Sequence, residues 1–467
     1  MPKRISPSSL WRRSRPAVSR LGWGVADQGM GSLTNFLLNV YVARSLGVAE
    51  FGAFSLAYVT YGFALNVSRG LSFEPLLIRF SNTDMQVWRR AAAGCAGTAL
   101  AVGLATGALA LAAGALLGGT TGKAFLALGL MLPALLLQDS WRYAFFSVQK
   151  GYHAFVNDTV WAAVQFPLLV FLKVTGHADV FWFVIAWGAG AAVGSVLASV
   201  QARVVPSMAS ARSWLIAHRD LGPRYVLENA GGNAGSTVQS YGVSSLLGVT
   251  AVGDISAANV LMGPFRIVSL GASMMTIPEA VKLLRHSPAR LPRFCVTVSA
   301  GLATLALAWA LVLVAGLPLG LGQLMMGSIW RSAYPLVIPT ALATLFGCAG
   351  IGAGIGLHAM GAARRSVRST LTGAVVTMAL ALAGAAVWGV YGTVLLAAAG
   401  TLVTASISWR FFVKAMQESG QVPVPRWMAW MAGTSLGLNA CQRVDLRIAA
   451  AMLRISASPG RMSSRSK

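Results

Sequence analysis

The sequence predicts an all-α integral membrane protein of about twelve transmembrane helices in two six-helix lobes related by a parallel repeat around a central cavity. Three observations carry this. Of 467 residues 56% are hydrophobic and 11% charged, with a mean hydropathy of +0.65, more apolar than ordinary soluble domains. Apolar windows long enough to span a bilayer, about 20 residues each, recur along the chain. Basic residues cluster in every second gap between them.

The windows fall near 21–43, 51–71, 91–117, 123–148, 155–173, 179–201, 225–249, 252–278, 294–316, 333–360, 366–389 and 391–416. With the basic N-terminus inside, only Arg44, Lys123, Lys173 and Arg331 of the 37 Lys and Arg residues fall outside. One missed helix would reverse the sides of everything downstream, so the bias supports the span count. The expected protein is multi-pass in the inner (plasma) membrane with both termini cytoplasmic. Its parts are a basic tail (1–20), an N-lobe of spans one to six (21–210), a C-lobe of spans seven to twelve (211–416) and a basic tail with an interfacial amphipathic helix (417–467).

The net charge of +24 is cytoplasmic loop charge, because its residues recur between apolar stretches; a nucleic-acid partner is not expected. Cys95, Cys295, Cys348 and Cys441 have neither ligand spacing nor a disulfide framework. The first apolar segment carries Asp27 and lacks a small-residue cleavage site, so no removable signal peptide is expected.

Shifting the chain by 201 residues lays 27–72 on 228–273 and matches about fourteen of forty-six positions, Gly52 on Gly253 and Gly62 on Gly263 among them. Six spans per copy is an even number, so the copies share one orientation about an axis along the membrane normal. Gln28, Ser32, Asn35 and Asn39 line one face of the first span, and Asn229, Asn233, Ser236 and Ser240 repeat the stripe in the seventh. Such faces look inward, toward water, substrate or another helix, because polar groups in lipid are costly.

Charges inside the spans cost about 2.5–3.5 kcal/mol each on insertion scales. Arg69, Arg142 and Arg266 would suit an anionic phosphate, since guanidinium donates paired hydrogen bonds and keeps its charge. Snorkelling is the alternative for Arg69 and Arg142, and a local pair with Asp139 for Arg142. Asp27 and Glu228 are candidates for a coupling ion, proton or sodium; the alternative is a carboxylate favouring its helix start. Pro133, Pro167, Pro264, Pro335 and Pro339 mark expected kinks.

The run from Val25 to Arg79, with Asp27-Gln28, Asn35, Ala43-Arg44-Ser45-Leu46-Gly47, Glu50-Phe51-Gly52 and Arg69, resembles the opening of oligosaccharide and polysaccharide flippases, within the multidrug/oligosaccharidyl-lipid/polysaccharide exporter superfamily. The stretch Gln138-Asp139-Ser140-Trp141-Arg142-Tyr143 through Asn157-Asp158 resembles them too. The resemblance implies alternating access and an undecaprenyl-pyrophosphate-linked oligosaccharide moved from inner to outer leaflet. Its headgroup would sit at Arg69, Arg142 and Arg266 beside Gln28, Asn35, Asn39, Asn229 and Asn233. Coupling to a proton or sodium gradient needs no cofactor, and the partners would be the lipid-linked oligosaccharide, membrane lipids and polysaccharide polymerase or glycosyltransferase machinery.

The alternatives are a multidrug or small-cation extruder, or a peptidoglycan-precursor flippase, of the same superfamily. A membrane glycan polymerase or ligase would need acid/base residues on a sizeable outer loop, whereas the outer loops here are short and carry only Glu50, His177, Asp179 and Asp254; an enzyme is not expected.

Overall fold

The computed structural model describes residues 7–81 and 83–420, with Val422, Val424, Pro425 and Met428; of 7–21, 228, 230–233, 270–275 and 363 only the backbone is described. The helices are α1 (Pro7–Ser45), α2 (Val48–Leu71), α3 (Phe73–Phe80), α4 (Met85–Leu117), α5 (Gly119–Ser147), α6 (Gly151–Val174) and α7 (Val180–Ala202). After α8 (Ala211–Ala217) come α9 (Gly222–Leu247), α10 (Val249–Leu261), α11 (Gly263–His286), α12 (Leu291–Gly316), α13 (Gly322–Met326), α14 (Trp330–Ala359) and α15 (Ala363–Ser419). No strand occurs among the described residues. The expected tail helix beyond 417 lies outside them.

Among the described residues seven helical segments are long and apolar enough to cross a membrane on their own. Two of these hold two spans each: 288–359 turns through Gly320 and Gly327, both at positive φ, and α15 breaks at Trp388 and Gly389 (φ 64°) into a hairpin. Of the remaining spans, α1, α9 and the α11 part of α10 followed by α11 carry polar or charged residues, and α10, though apolar, has only 13 residues. Counted this way the described helices give twelve spans, as the sequence predicts.

Of the prolines at which kinks are expected, one coincides with a helix break. Pro133, Pro167, Pro335 and Pro339 sit inside continuous helices. Only Pro264 marks a break, where α10 ends at Leu261 and α11 begins at Gly263, and the missing proline N–H falls in a first turn that needs none.

Small residues let the helices approach closely. In the α4–α5 hairpin a Cβ on Gly107 would lie 2.6 Å from the Gly129 carbonyl oxygen, and one on Gly129 2.7 Å from that of Gly107. The α15 hairpin repeats the device at Gly384 and Gly392. Helices α1 to α7 pack among themselves, α9 to α15 do likewise, and the two groups meet mainly where α2 lies along α9 and α10. The connector docks on the first group: Ser207 N–H donates to the Ala93 carbonyl at 2.9 Å, Trp214 covers Gly94, and its Nε1 reaches the Leu71 carbonyl at 3.1 Å.

Because the obstacle at Gly107 and Gly129 is backbone, Gly129→Val should cost about 1–3 kcal/mol by overpacking. Gly62→Ala, whose new methyl meets nothing within 4 Å, should leave stability nearly unchanged. Thermal unfolding of the two variants in detergent checks this; equal stabilities would contradict it.

Candidate functional site

Four helices bring five charges together in the half of the bundle nearest the chain termini. Asp27 comes from α1, Arg69 from the last turn of α2, Asp139 and Arg142 from neighbouring turns of α5, and Asp158 from α6. Arg69 grips Asp139 with both ends of its fork, Nε to Oδ2 at 2.9 Å and Nη2 to Oδ1 at 2.7 Å. Arg142 donates to Asp27 Oδ2 from Nε at 2.8 Å and Nη2 at 2.6 Å, and its Nε lies 3.4 Å from Asp158 Oδ2. The local Asp139–Arg142 pair considered from sequence does not form. Successive turns of α5 instead send the acid to α2 and the base to α1 and α6.

Packing fixes these pairs. Gln138 donates to Asp158 Oδ1 at 2.7 Å, and the Tyr143 ring faces both guanidinium carbons, at 4.8 Å for Arg69 and 5.8 Å for Arg142. Phe73 packs on the Tyr143 ring itself, with ring centres 4.2 Å apart. Gly31 of α1 faces the cluster, its Cβ position lying 3.6 Å from both Arg142 Nη2 and Asp158 Oδ2.

Three carboxylates face two guanidinium groups. Asp27 is fully buried, and its Oδ1 accepts no hydrogen bond from the described residues. A buried carboxylate oxygen without a donor is costly, and so is an excess negative charge in low dielectric. A proton or small cation on Asp27 relieves both. Among the described residues no three His, Cys, Asp or Glu side chains converge at metal-binding spacing.

The other sequence candidates are spread along the interface. Arg266 is exposed, one turn beyond Gly263, whose Cβ position meets the Phe36 ring of α1 at 2.6 Å. Residues i and i+3 share a helix face, so Arg266 lies on the side of α11 that looks toward α1. Asn35 is exposed and Gln28 half-buried; Asn39 is half-buried and donates to the Asn35 carbonyl at 2.8 Å. Asn229 is half-buried on α9, and across the halves the Thr60 and Tyr241 hydroxyls meet at 2.5 Å. The side chains of Glu228 and Asn233 lie outside the described residues.

Sequence reasoning missed Asp158, Gln138 and Tyr143. Asp158 already lay within the predicted fifth span, where an acid asks for a partner, and that signal was available.

No family model and no curated protein matches the chain. Among solved structures, it superposes on "Lipid II flippase MurJ, inward closed conformation" with TM-score 0.62 and 10% identity, covering 93% of this chain and 100% of that one. The chain has the fold of the MOP superfamily transporters. An inward-facing multidrug resistance MATE family transporter of that superfamily gives TM-score 0.58 at 13% identity, covering 87% of this chain and 96% of the other. An outward-facing one gives 0.53 at 15% identity with the same coverages.

Losing Asp27 leaves Arg142 with its more distant carboxylate, Asp158. Asp27→Ala should therefore destabilise, by less than the cost of about 3–5 kcal/mol for a buried charge left with no partner. Asp158→Asn, which removes only the 3.4 Å contact and keeps a side chain for Gln138, should cost less. Thermal unfolding of both variants in one detergent ranks them, and a reversed order would contradict the assignment of pairs.

Proposed function

We propose that the chain is a flippase that carries an undecaprenyl-pyrophosphate-linked oligosaccharide from the inner to the outer leaflet by alternating access. The observation that supports it best is the placement of two guanidinium groups inside the membrane, Arg69 and Arg142, each held by carboxylates that a phosphate can replace. A pyrophosphate offers the same paired acceptors as Asp139 and Asp27 and carries more charge. Arg266, for which no ion pair occurs among the described residues, adds a cation on the face of α11 toward α1.

Entry of a lipid-linked headgroup requires a side opening at the level of the inner leaflet. Gly22 and Gly29 of α1 meet nothing within 4 Å, whereas Gly70 of α2 lies hard against Val226 of α9. Among the described residues, the α1 flank is thus the less covered one at that end. Both termini are taken as cytoplasmic, from the side on which the arginines gather.

The charge balance suggests how transport is driven. When Asp27 is ionised it holds Arg142; when it is protonated Arg142 is free for phosphate. Proton binding and headgroup binding then favour one another in the inward-open state, and Glu228 is the corresponding candidate on α9. A sodium ion at Asp27 would neutralise it in the same way. The excess of acid over base at the cluster also favours a second reading, a multidrug or small-cation extruder, in which the carboxylates bind the cargo.

Lipid-linked oligosaccharide in cells lacking the protein separates the two. The account expects accumulation on the cytoplasmic side, relieved by the wild type and not by equally abundant Arg69→Ala, Arg142→Ala or Arg266→Ala. Unchanged lipid-linked pools together with raised sensitivity to cationic drugs would support the extruder instead.

A further inference from the structure

One end of the interface between the halves is closed by backbone against backbone. Gly52 lies one turn into α2 and Gly253 one turn into α10. A Cβ on Gly52 would stand 2.0 Å from the Val249 carbonyl oxygen and 3.0 Å from the Gly253 nitrogen. A Cβ on Gly253 would stand 2.4 Å from the Val48 carbonyl oxygen and 3.1 Å from the Gly52 nitrogen. Val48 and Val249 are separated by the same 201 positions as Gly52 and Gly253, so each partner meets the copy of what the other meets. A self-complementary contact of this kind sits on the two-fold axis that relates its halves.

A second clasp stands at the same end. Arg44, at the end of α1, donates from Nη1 to the Leu324 carbonyl of α13 at 2.7 Å. Gly327 (φ 59°) lies over the Arg44 backbone, where its Cβ position is 3.4 Å from the Arg44 Cα and carbonyl oxygen. This end is opposite the chain termini, since α1 arrives there and α2 departs from it. At the terminal end the halves touch at Gly70 and Val226, while the α1 flank stays open at Gly22 and Gly29.

We propose that the reciprocal Gly52–Gly253 contact, clasped by Arg44, is the seal that shuts the far end of the cavity, and that any side chain at either glycine holds that end ajar. The obstacle to an added methyl is a carbonyl oxygen of the facing helix, which cannot rotate away as a side chain can. The helices must part instead, and parting them at this point is the movement that opens the far end. The open-space position Gly62, on the same helix as Gly52, carries no such constraint.

The test uses the full chain with its four native cysteines replaced and a single Asn35→Cys reporter on the exposed polar face of α1, below the seal. Intact cells receive a membrane-impermeant maleimide. A Thr175→Cys reporter, at the far-end turn between α6 and α7, verifies from which side that end is reached. With both glycines present, the Asn35→Cys reporter labels slowly. Gly52→Ala and Gly253→Ala should each raise the rate about tenfold, a shift of about 1.4 kcal/mol between the closed and parted states; Gly62→Ala should not raise it.

Equal labelling of wild type, Gly52→Ala and Gly253→Ala at equal abundance would overturn the proposal. Should the glycine variants not reach the membrane, a Val48→Cys, Val249→Cys pair in a chain with both glycines decides. Oxidative cross-linking between the two positions supports the seal, and its absence overturns it. None of these outcomes depends on the cargo, so the seal can fail without the flippase reading failing.

Discussion

The structure depends on how a bilayer interior tolerates five charges within one half of a helical bundle. Little water reaches them, so the charged groups draw on protein partners. Arg69 and Arg142 find Asp139, Asp27 and Asp158, and these pairs tie α1, α2, α5 and α6 to one another. The ties fix the rotation of α1, and with it the direction in which Gln28 and Asn35 point. They also leave one carboxylate oxygen, Asp27 Oδ1, buried and without a donor. Structural necessity and the proposed coupling chemistry therefore meet in the same five residues.

The second half answers the same constraint differently. Positions 340 and 343, the repeat partners of Asp139 and Arg142, are Thr340 and Ala343, and Leu270 replaces Arg69. With fewer charges to pair, α9 to α15 rely on glycine and alanine contacts, such as Gly352 against the Cys295 carbonyl and Gly384 against Gly392. Arg266 has no ion-pair partner among the described residues and is exposed on the face toward α1. The repeat thus preserves the fold and the far-end contact while its chemistry has diverged, which concentrates the described ion pairs inside the spans in one lobe.

Much of the fold was legible in the sequence because its causes are one-dimensional. Span length, the alternation of arginines and the 201-residue repeat are read along the chain, and Gly52 and Gly253, matched in that repeat, do lie against each other. The site was less legible. Asp139 lies three residues before Arg142, which suggests a pair on one helix, yet both side chains turn to other helices, because a neighbouring helix offers each a bidentate or closer partner. Such choices depend on helix rotation and crossing, which no single-helix pattern encodes. The break between α10 and α11 was foreshadowed by Pro264, whereas the helices run on through Pro133 and Pro167.

The central claim is that carboxylates and phosphate compete for the same guanidinium groups, with a proton deciding between them. Its most direct test is equilibrium binding of a soluble short-chain polyprenyl pyrophosphate to the purified protein as the pH is lowered. The account predicts that binding tightens as protons are taken up, and that Asp27→Asn binds tightly throughout with a much weaker pH dependence. Binding by the wild type that is independent of pH, or that weakens on acidification, would contradict it.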